Sequence, residues 1–183
     1  MILVAVGTYI HGFDELVTAA DAAAAATGLP GFAQIGHSRA VPRHLAWERF
    51  LPLAAMARQL AAARLVICHG GMGLLGEAMR AGKPIIAVPR RGRPTRASPA
   101  GDQTALVRRL AELHPIAVCE RLEDLGGIVA AALRSGLRPQ AYDLASDVPQ
   151  LVAAFLAQED QAVPATRPSQ PSATLRPNRS ARS

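Results

Sequence analysis

Cysteine and long apolar runs are both scarce in this chain, and each scarcity excludes a class of protein. The two cysteines, Cys68 and Cys119, form no CxxC spacing, and each ends an apolar run. This pattern is typical of buried thiols in a reducing compartment, not of a disulfide or a zinc site. No apolar run approaches the roughly 20 residues that cross a bilayer. A secretory signal requires basic residues near the N-terminus, and none precedes Arg39. We therefore expect a cytoplasmic protein, peripheral to a membrane at most.

Aromatic residues are also few, at 4% of the chain, although the net charge is +6. The basic residues are densest at 80–96, where there is no acidic residue; they are Arg80, Lys83, Arg90, Arg91, Arg93 and Arg96. Such a stretch is either a solvated loop or a contact for an anionic partner, such as a phosphorylated ligand or a lipid surface. Because no aromatic residue lies within it and no nucleic-acid-binding motif occurs, we expect no nucleic acid partner.

The 183 residues are half hydrophobic, and 37 of them are alanine. That is enough to pack one domain, because a chain of about 150 residues buries roughly two-thirds of its surface on folding. The last 25 residues contain four prolines, four serines and four arginines with almost no large apolar side chain. We predict one folded domain at 1–158 and a disordered Pro/Ser/Arg-rich tail at 159–183.

Apolar strand-like runs alternate with helical stretches along the predicted domain. Strands are predicted at 2–6, 32–35, 48–51, 65–68, 85–88 and 116–118, and helices at 14–27, 53–63, 73–81, 102–113, 122–134 and 149–157. This alternation predicts an α/β fold with a Rossmann-like, mostly parallel sheet and helices on both faces.

Small and basic residues follow several of these strands, at the edge where an open parallel sheet binds its ligands. They include Gly7-Thr8, the turn His69-Gly70-Gly71-Met72-Gly73, and Arg90. Glycines at the start of a helix leave its backbone amides free to hold a diphosphate. The turn matches neither GxGxxG nor the Walker A loop, and no GxSxG elbow accompanies it for an esterase. A tight turn without a ligand is the alternative.

Three further side chains could face the same edge, beside His69 of the turn. Glu77 lies one helical turn past Gly73, where it could accept hydrogen bonds from ribose hydroxyls or only complement the helix dipole. Asp102 and Gln103 open the next predicted helix, and Asp102 alone could be an N-cap. His69 is a weak candidate for a catalytic base, because a histidine among glycines can equally orient a phosphate.

Together these residues resemble the PssE-like small glycosyltransferase subunits, which are similar to the C-terminal, donor-binding half of MurG-like GT-B glycosyltransferases. The resemblance covers about residues 1–155, through the segments 2–8, 13–16, 34–36, 66–73, 77–78, 82–84, 88–90 and 102–103. It implies a single GT-B C-terminal-type domain that binds a UDP-sugar. It further implies inverting transfer to a polyprenyl-diphosphate-linked acceptor in bacterial exopolysaccharide synthesis, with a PssD-like membrane-anchored subunit at the inner face of the membrane.

The resemblance also implies roles for individual residues. The expected substrate-binding residues are Gly7, Thr8, His69, Gly70, Gly71, Gly73, Glu77, Arg90, Asp102 and Gln103. No metal or other cofactor is expected, which is consistent with the missing DxD-type carboxylate pair. The catalytic base is expected on the partner, so the chain alone should bind the donor without transferring its sugar.

Two departures from the family pattern support an alternative function. Tyr9 follows the Gly-Thr pair where these subunits often have a histidine, and the loop at 90–100 lacks the histidine often seen before Asp102. The chain could therefore be a non-catalytic nucleotide-sugar-binding regulatory subunit. The arginines at 90–93 could instead suit an acidic donor sugar such as glucuronate. A UDP-sugar 2-epimerase is disfavoured, because those enzymes need both halves in one longer chain.

Overall fold

A computed structural model describes residues 1–92, 102–137 and 140–142 of the chain. The strands are β1 (Ile2–Ala5), β2 (Gly31–Gln34), β3 (Ala46–Glu48), β4 (Leu65–His69), β5 (Ile85–Val88) and β6 (Ala117–Val118). The helices are α1 (Asp14–Thr27), α2 (Leu53–Ala62), α3 (Met72–Arg80), α4 (Thr104–Leu113) and α5 (Leu125–Arg134), the last entered through a 3₁₀ turn at Leu122–Asp124. Within the described residues the six strands form one sheet in the order β3-β2-β1-β4-β5-β6.

Every pairing in this sheet is parallel, and Ile2 lies opposite Gly31 on one side and Leu65 on the other. Successive side chains of a strand point to opposite faces. Val4 and Ile67 accordingly pack in a cluster with α1 and α5, whereas Leu3 and Val66 pack in a second cluster with residues of α2, α3 and α4. The predicted Rossmann-like parallel sheet with helices on both faces is confirmed.

Most predicted elements lie where the sequence indicates, and the third strand is the clearest error. The first helix covers 14–27 as predicted and ends at Gly28, whose φ of 64° is the conformation that glycine favours after a helix. The strand predicted at 48–51 is wrong: β3 lies at Ala46–Glu48, on the exposed edge of the sheet. The apolar pair Phe50-Leu51 suggested the later position, but both side chains line a cleft instead.

Two smaller differences concern helix starts. The helix predicted from 102 begins at Thr104, and the one predicted from 122 begins with a 3₁₀ turn before α5. The helix predicted at 149–157 and the tail predicted at 159–183 lie outside the described residues, and the domain boundary between them stays a prediction. Across 1–92, 102–137 and 140–142, no helix combines the length and the apolar character needed to cross a bilayer.

Both cysteines are free and buried, which confirms the prediction of buried thiols. Cys68 lies in the central strand β4 with no exposed surface. Burial raises the pKa of its thiol to about 12, because desolvation disfavours the thiolate. Cys68 is therefore an inert core residue at neutral pH.

A carboxylate on α1 holds the segment that leads into β3. Asp21 is 8% exposed and accepts hydrogen bonds from the backbone N–H groups of Arg43 (2.8 Å), His44 (3.0 Å) and Leu45 (2.9 Å). Burial alone would raise the pKa of Asp21, but these hydrogen bonds outweigh it and hold the pKa below its ordinary value. The ionised form is thus the one that the fold stabilises.

We expect Asp21→Asn to lower the free energy of unfolding by about 1.5–3 kcal/mol at pH 7, the range for hydrogen bonds to a charged group. A carboxyl with a lowered folded pKa stabilises the fold above its unfolded pKa, and this contribution is lost as the pH falls through the folded pKa. The difference in the free energy of unfolding between wild type and variant should therefore become smaller below about pH 4. Denaturant unfolding at pH 7 and pH 3 measures both values. Glu15→Gln, which removes an exposed charge from the first turn of the same helix, is the control and should cost less than about 1 kcal/mol.

Candidate functional site

A cleft of about 610 Å³ lies at the carboxyl-end edge of the sheet. Eight of the ten predicted substrate-binding residues line it: Gly7, Thr8, His69, Gly71, Gly73, Glu77, Arg90 and Gln103. They follow β1, β4 and β5, three neighbouring strands whose parallel alignment brings their carboxyl ends together. The topology therefore assembles the predicted group from three separate parts of the sequence.

The other two predicted residues, Gly70 and Asp102, do not line the cleft. Gly70 is buried beneath the turn, where a Cβ would overlap the Val107 side chain and lie 3.0 Å from the Cβ of Gln103. Asp102 is exposed, and its Oδ1 accepts a hydrogen bond from the backbone N–H of Thr104 at 2.8 Å. That hydrogen bond lowers the pKa of Asp102. The geometry gives Gly70 a packing role, and it places Asp102 directly before Gln103, the N-cap residue of α4, where the Asp102 carboxylate still accepts a backbone N–H of the first turn.

The N-terminus of α3 opens into the cleft. Its first intrahelical hydrogen bond runs from the N–H of Leu75 to the carbonyl of Gly71 at 3.1 Å. The three amides at 72–74 consequently have no acceptor within the helix, and they carry the positive end of its dipole. Gly73 lines the cleft at this point. The N-terminus of α4 differs, because Asp102 caps it and Gln103 N–H donates to the carbonyl of Arg90 at 2.9 Å.

His69, at the end of β4, lines the cleft as a neutral side chain. Its Nδ1 accepts a hydrogen bond from the Gly71 backbone N–H at 3.0 Å and lies 3.3 Å from Nε2 of Gln103. Burial lowers the pKa of His69 to about 4, and the positive charge of Arg90 adds to the effect. An engaged Nδ1 and so low a pKa make His69 a poor general base at neutral pH.

Gly7 is held in place by a residue that the sequence analysis did not select. Gln34 is 3% exposed, and its amide accepts the Gly7 N–H and donates to the Gly7 carbonyl, each at 3.0 Å. Its Nε2 also donates to the carbonyl of Arg49 at 2.8 Å. Gly7 has a φ of 75°, and a Cβ there would overlap the His69 ring. The available signal was a polar side chain ending a buried strand, since buried polar groups require partners.

Arg90 places an uncompensated positive charge between the cleft and the β1 loop. Its Cζ lies 4.4 Å from the ring centroid of Tyr9 and 5.1 Å from that of Phe13, within range of cation–π attraction. Its Nη2 donates to the Val6 carbonyl at 3.3 Å, and its Nε is buried without a hydrogen-bond partner. Burial lowers the pKa of this guanidinium. Among the described residues no carboxylate pairs with Arg90, so the site favours an anion.

The remaining basic residues of 80–96 are engaged elsewhere or fall outside the described residues. Arg80 pairs with Glu77 at 2.6 Å, and Arg91 pairs with Glu120 at 3.4 Å. Lys83 Nζ donates to the carbonyls of Ala61 and Ala63. Arg93 and Arg96 are not described. The charge available to a ligand in the described part of this stretch is therefore concentrated at Arg90.

One wall of the cleft is apolar, and the sequence analysis missed it. It is formed by Phe50, Leu51, Met56 and Leu74. Phe50 is 46% exposed and makes an edge contact with the ring of His37, with centroids 5.0 Å apart. An aromatic face beside a polar turn suits a planar heterocycle. The described residues contain no group of three or more histidine, cysteine or carboxylate side chains that could hold a metal ion.

Comparison with known families identifies the class of domain that this fold and cleft define. Residues 1–111 match the glycosyltransferase family 28 C-terminal domain. Because the match covers more than half of the 183 residues, the chain belongs to this family. Sugar transfer is the chemistry that family membership indicates. No curated protein matches the chain.

Solved structures of GT-B glycosyltransferases share the fold. MurG from Acinetobacter baumannii aligns with a TM-score of 0.55 and 20% identity, over 85% of this chain and 49% of its own. The calicheamicin glycosyltransferase CalG4 aligns with a TM-score of 0.57 and 22% identity, over 89% of this chain and 44% of its own. The glycosyltransferase of kitacinnamycin aligns with a TM-score of 0.52 and 22% identity, over 86% of this chain and 42% of its own. The chain thus spans a little under half the length of these enzymes and corresponds in fold to the GT-B C-terminal domain.

Proposed function

We propose that this chain is the donor-binding subunit of a two-chain inverting glycosyltransferase that uses a UDP-sugar. The observation that carries the proposal is the unpaired Arg90 guanidinium lining the same cleft as the open N-terminus of α3. A diphosphate between them would receive hydrogen bonds from the amides at 72–74 and charge compensation from Arg90. Gly7 and Thr8 line the same cleft and contribute further contacts on the β1 side.

The nucleoside would extend from the diphosphate along the rest of the cleft. Its uracil ring would lie against the apolar wall at Phe50 and Leu51. Glu77 lines the cleft one helical turn past Gly73, and its half-exposed carboxylate can accept hydrogen bonds from the ribose hydroxyls. The donor sugar would then occupy the part of the cleft near Gln103 and Arg90.

The residues of this chain would act on the leaving group. In an inverting transfer the acceptor hydroxyl attacks the anomeric carbon, the bond from that carbon to the diphosphate oxygen breaks, and UDP leaves with the electron pair. Arg90 and the α3 amides would stabilise the charge that grows on the diphosphate. The hydroxyl proton must pass to a base, and His69 is unsuited to that role because its Nδ1 is engaged. We therefore propose that the base belongs to the partner and that no metal is needed.

The partner would be a PssD-like membrane-anchored acceptor subunit carrying a polyprenyl-diphosphate-linked glycan. Exposed apolar side chains lie on the segments that follow β1, β3 and β4, beside the cleft; they are Tyr9, Ile10, Phe50, Leu53 and Met72. Such a rim is typical of a protein interface. We propose that it sits at the inner face of the membrane through this partner, in bacterial exopolysaccharide synthesis.

Calorimetric titration of the full chain tests the donor class. We expect binding of UDP, UDP-glucose, UDP-N-acetylglucosamine or UDP-glucuronate that is unchanged by Mg²⁺, and none of uridine alone. Tighter binding of UDP-glucuronate than of the neutral donors would identify an acidic sugar. A sugar-transfer assay with the membrane subunit then separates the two functions: no transfer by a complex that binds the donor would favour the regulatory subunit. Absence of binding to every UDP species would contradict both.

Glu77→Gln tests the ribose contact. We expect UDP affinity to fall about three- to tenfold, because the neutral amide oxygen still accepts a hydrogen bond but a weaker one than the carboxylate accepts. Binding of 2′,3′-dideoxy-UDP should be equally weak in wild type and variant. Glu112→Gln is a matched control, because Glu112 also pairs with an arginine three residues away on an exposed helix, at 2.7 Å. Equal losses for UDP and its dideoxy analogue would remove the ribose role.

A further inference from the structure

The Gln103 side chain links two parts of the cleft. Its Oε1 accepts a hydrogen bond from the backbone N–H of Arg90 at 3.1 Å, and its own backbone N–H donates to the Arg90 carbonyl. A backbone N–H can only donate, so the amide oxygen must face Arg90 and the NH₂ group must face the other way. On that side Nε2 lies 3.3 Å from Nδ1 of His69. The backbone N–H of Arg90 thus determines which end of the Gln103 amide is the oxygen and which is the nitrogen.

Two donors consequently converge on the same nitrogen of His69. The Gln103 NH₂ group and the Gly71 backbone N–H both point at Nδ1. A ring nitrogen that accepts hydrogen bonds carries no proton, so the neutral imidazole keeps its proton on Nε2. A Cβ on Gly7 would overlap this Nε2, which places the nitrogen beside the β1 loop. The ring therefore turns an N–H donor toward the residues that line the cleft.

We propose that Gln103 is a positioning residue that locks His69 in the Nε2–H tautomer, so that the histidine donates a hydrogen bond to the anionic group of the bound ligand. The proposal rests on the proposed function, in which that group is the diphosphate of UDP. Both ends of the Gln103 amide are engaged within the protein. Its effect on the ligand is then exerted through His69, in addition to any direct contact that the family resemblance implies.

A purely structural role would make a different prediction, because Gln103 is also the N-cap residue of α4. Gln103→Glu separates the two roles. The carboxylate keeps an oxygen for the Arg90 N–H, so the loop stays anchored, but it presents an acceptor to Nδ1 where the amide presented a donor. We expect it to place a proton on Nδ1 and to raise the pKa of His69 above its value of about 4. The charged or titratable side chains that line the cleft with His69 are Arg90, Glu77 and Tyr9, and all three are unchanged.

The measurement is ¹⁵N NMR of the imidazole ring in the full chain, recorded against pH without nucleotide. Wild type should show Nε2 protonated and Nδ1 bare at pH 7, and Gln103→Glu should shift the titration upward. Asp102→Ala is the control, because it removes the hydrogen bond from the carboxylate to the Thr104 N–H at the start of α4 without touching His69; it should leave the ring signals unchanged. A bare Nε2 in wild type, or an unshifted titration in Gln103→Glu, overturns the proposal.

A double-mutant cycle on UDP affinity gives a second test that does not depend on Gln103→Glu folding. Gln103→Met should weaken UDP binding about fivefold in the wild-type background and have no effect in a His69→Phe background. Additive losses would overturn the proposal, because Gln103 would then act independently of the histidine. Failure of the proposed function and failure of this proposal can be told apart. If wild type binds no UDP, the proposed function fails, whereas the NMR measurement of the His69 tautomer needs no nucleotide.

Discussion

Arg90→Met is expected to weaken UDP binding about a hundredfold, equivalent to about 2.8 kcal/mol. The guanidinium is the one cationic group among the described residues that lines the cleft. Its removal would leave the diphosphate with only the helix amides for charge compensation. The fold should lose little, because removing this unpaired, partly buried cation with its unpartnered Nε offsets the loss of its hydrogen bond to the Val6 carbonyl and of its contacts with the Tyr9 and Phe13 rings. Replacing such a group by an apolar side chain of similar length is often neutral or stabilising.

The measurement is calorimetric titration with UDP, combined with the thermal unfolding midpoint of each variant. Arg109→Met is the matched control, because it removes the same charge from an exposed position paired with Glu112. It should bind UDP as the wild type does. An Arg90→Met protein that keeps its affinity, or that loses it together with its thermal midpoint, would contradict a direct role of Arg90 in binding.

Gly73→Ala is expected to lower UDP affinity about thirtyfold, or about 2 kcal/mol, while leaving the fold intact. Apart from its chain neighbours and the backbone of its own helix, the described residues place no atom within 4 Å of a Cβ at this position. A helical Cβ tilts toward the N-terminus of its helix, which here is the side of the cleft that Gly73 lines. The methyl group would therefore enter the space of the diphosphate and hold it away from the amides at 72–74.

Gly76→Ala supplies the control within the same helix. A Cβ there would meet only the end of the Arg80 side chain, at 3.5 Å, and Gly76 does not line the cleft. Replacing a helical glycine by alanine should stabilise each variant by up to about 1 kcal/mol. Both variants should thus unfold at the same or higher denaturant concentration, and only Gly73→Ala should lose affinity. Equal affinities would show that no ligand approaches α3 at this turn.

The fold was predictable because its signals are local. Buried strands such as Ile85–Val88 are continuous apolar runs. The helix α1 ends at Gly28, a residue type that readily adopts the left-handed conformation found after a helix. The edge strand β3 was misplaced because its residues are exposed and carry no such run. Its position is determined by pairing with β2, from Phe32 opposite Ala46 to Gln34 opposite Glu48, which no local pattern encodes.

The candidate site was predictable where it depends on chain direction and less so where it depends on packing. Parallel strands guarantee that Gly7, His69 and Arg90 share one edge. Two features depend on contacts between residues more than 25 positions apart. They are the orientation of the His69 ring, which Gln103 contacts, and the hydrogen bonds between the Gln34 amide and Gly7. The apolar wall at Phe50 looked like part of a strand for the same reason. Composition could not separate Arg90 from the ion-paired Arg91 beside it.

The most direct test of the central claim, that a UDP diphosphate lies between α3 and Arg90, is an amide NMR titration of the full chain with UDP. The claim predicts that the largest chemical-shift changes fall on the amides at 72–74 and at Gly7 and Thr8, with smaller changes near Glu77. Changes confined to another surface, or no changes at millimolar UDP, would contradict it.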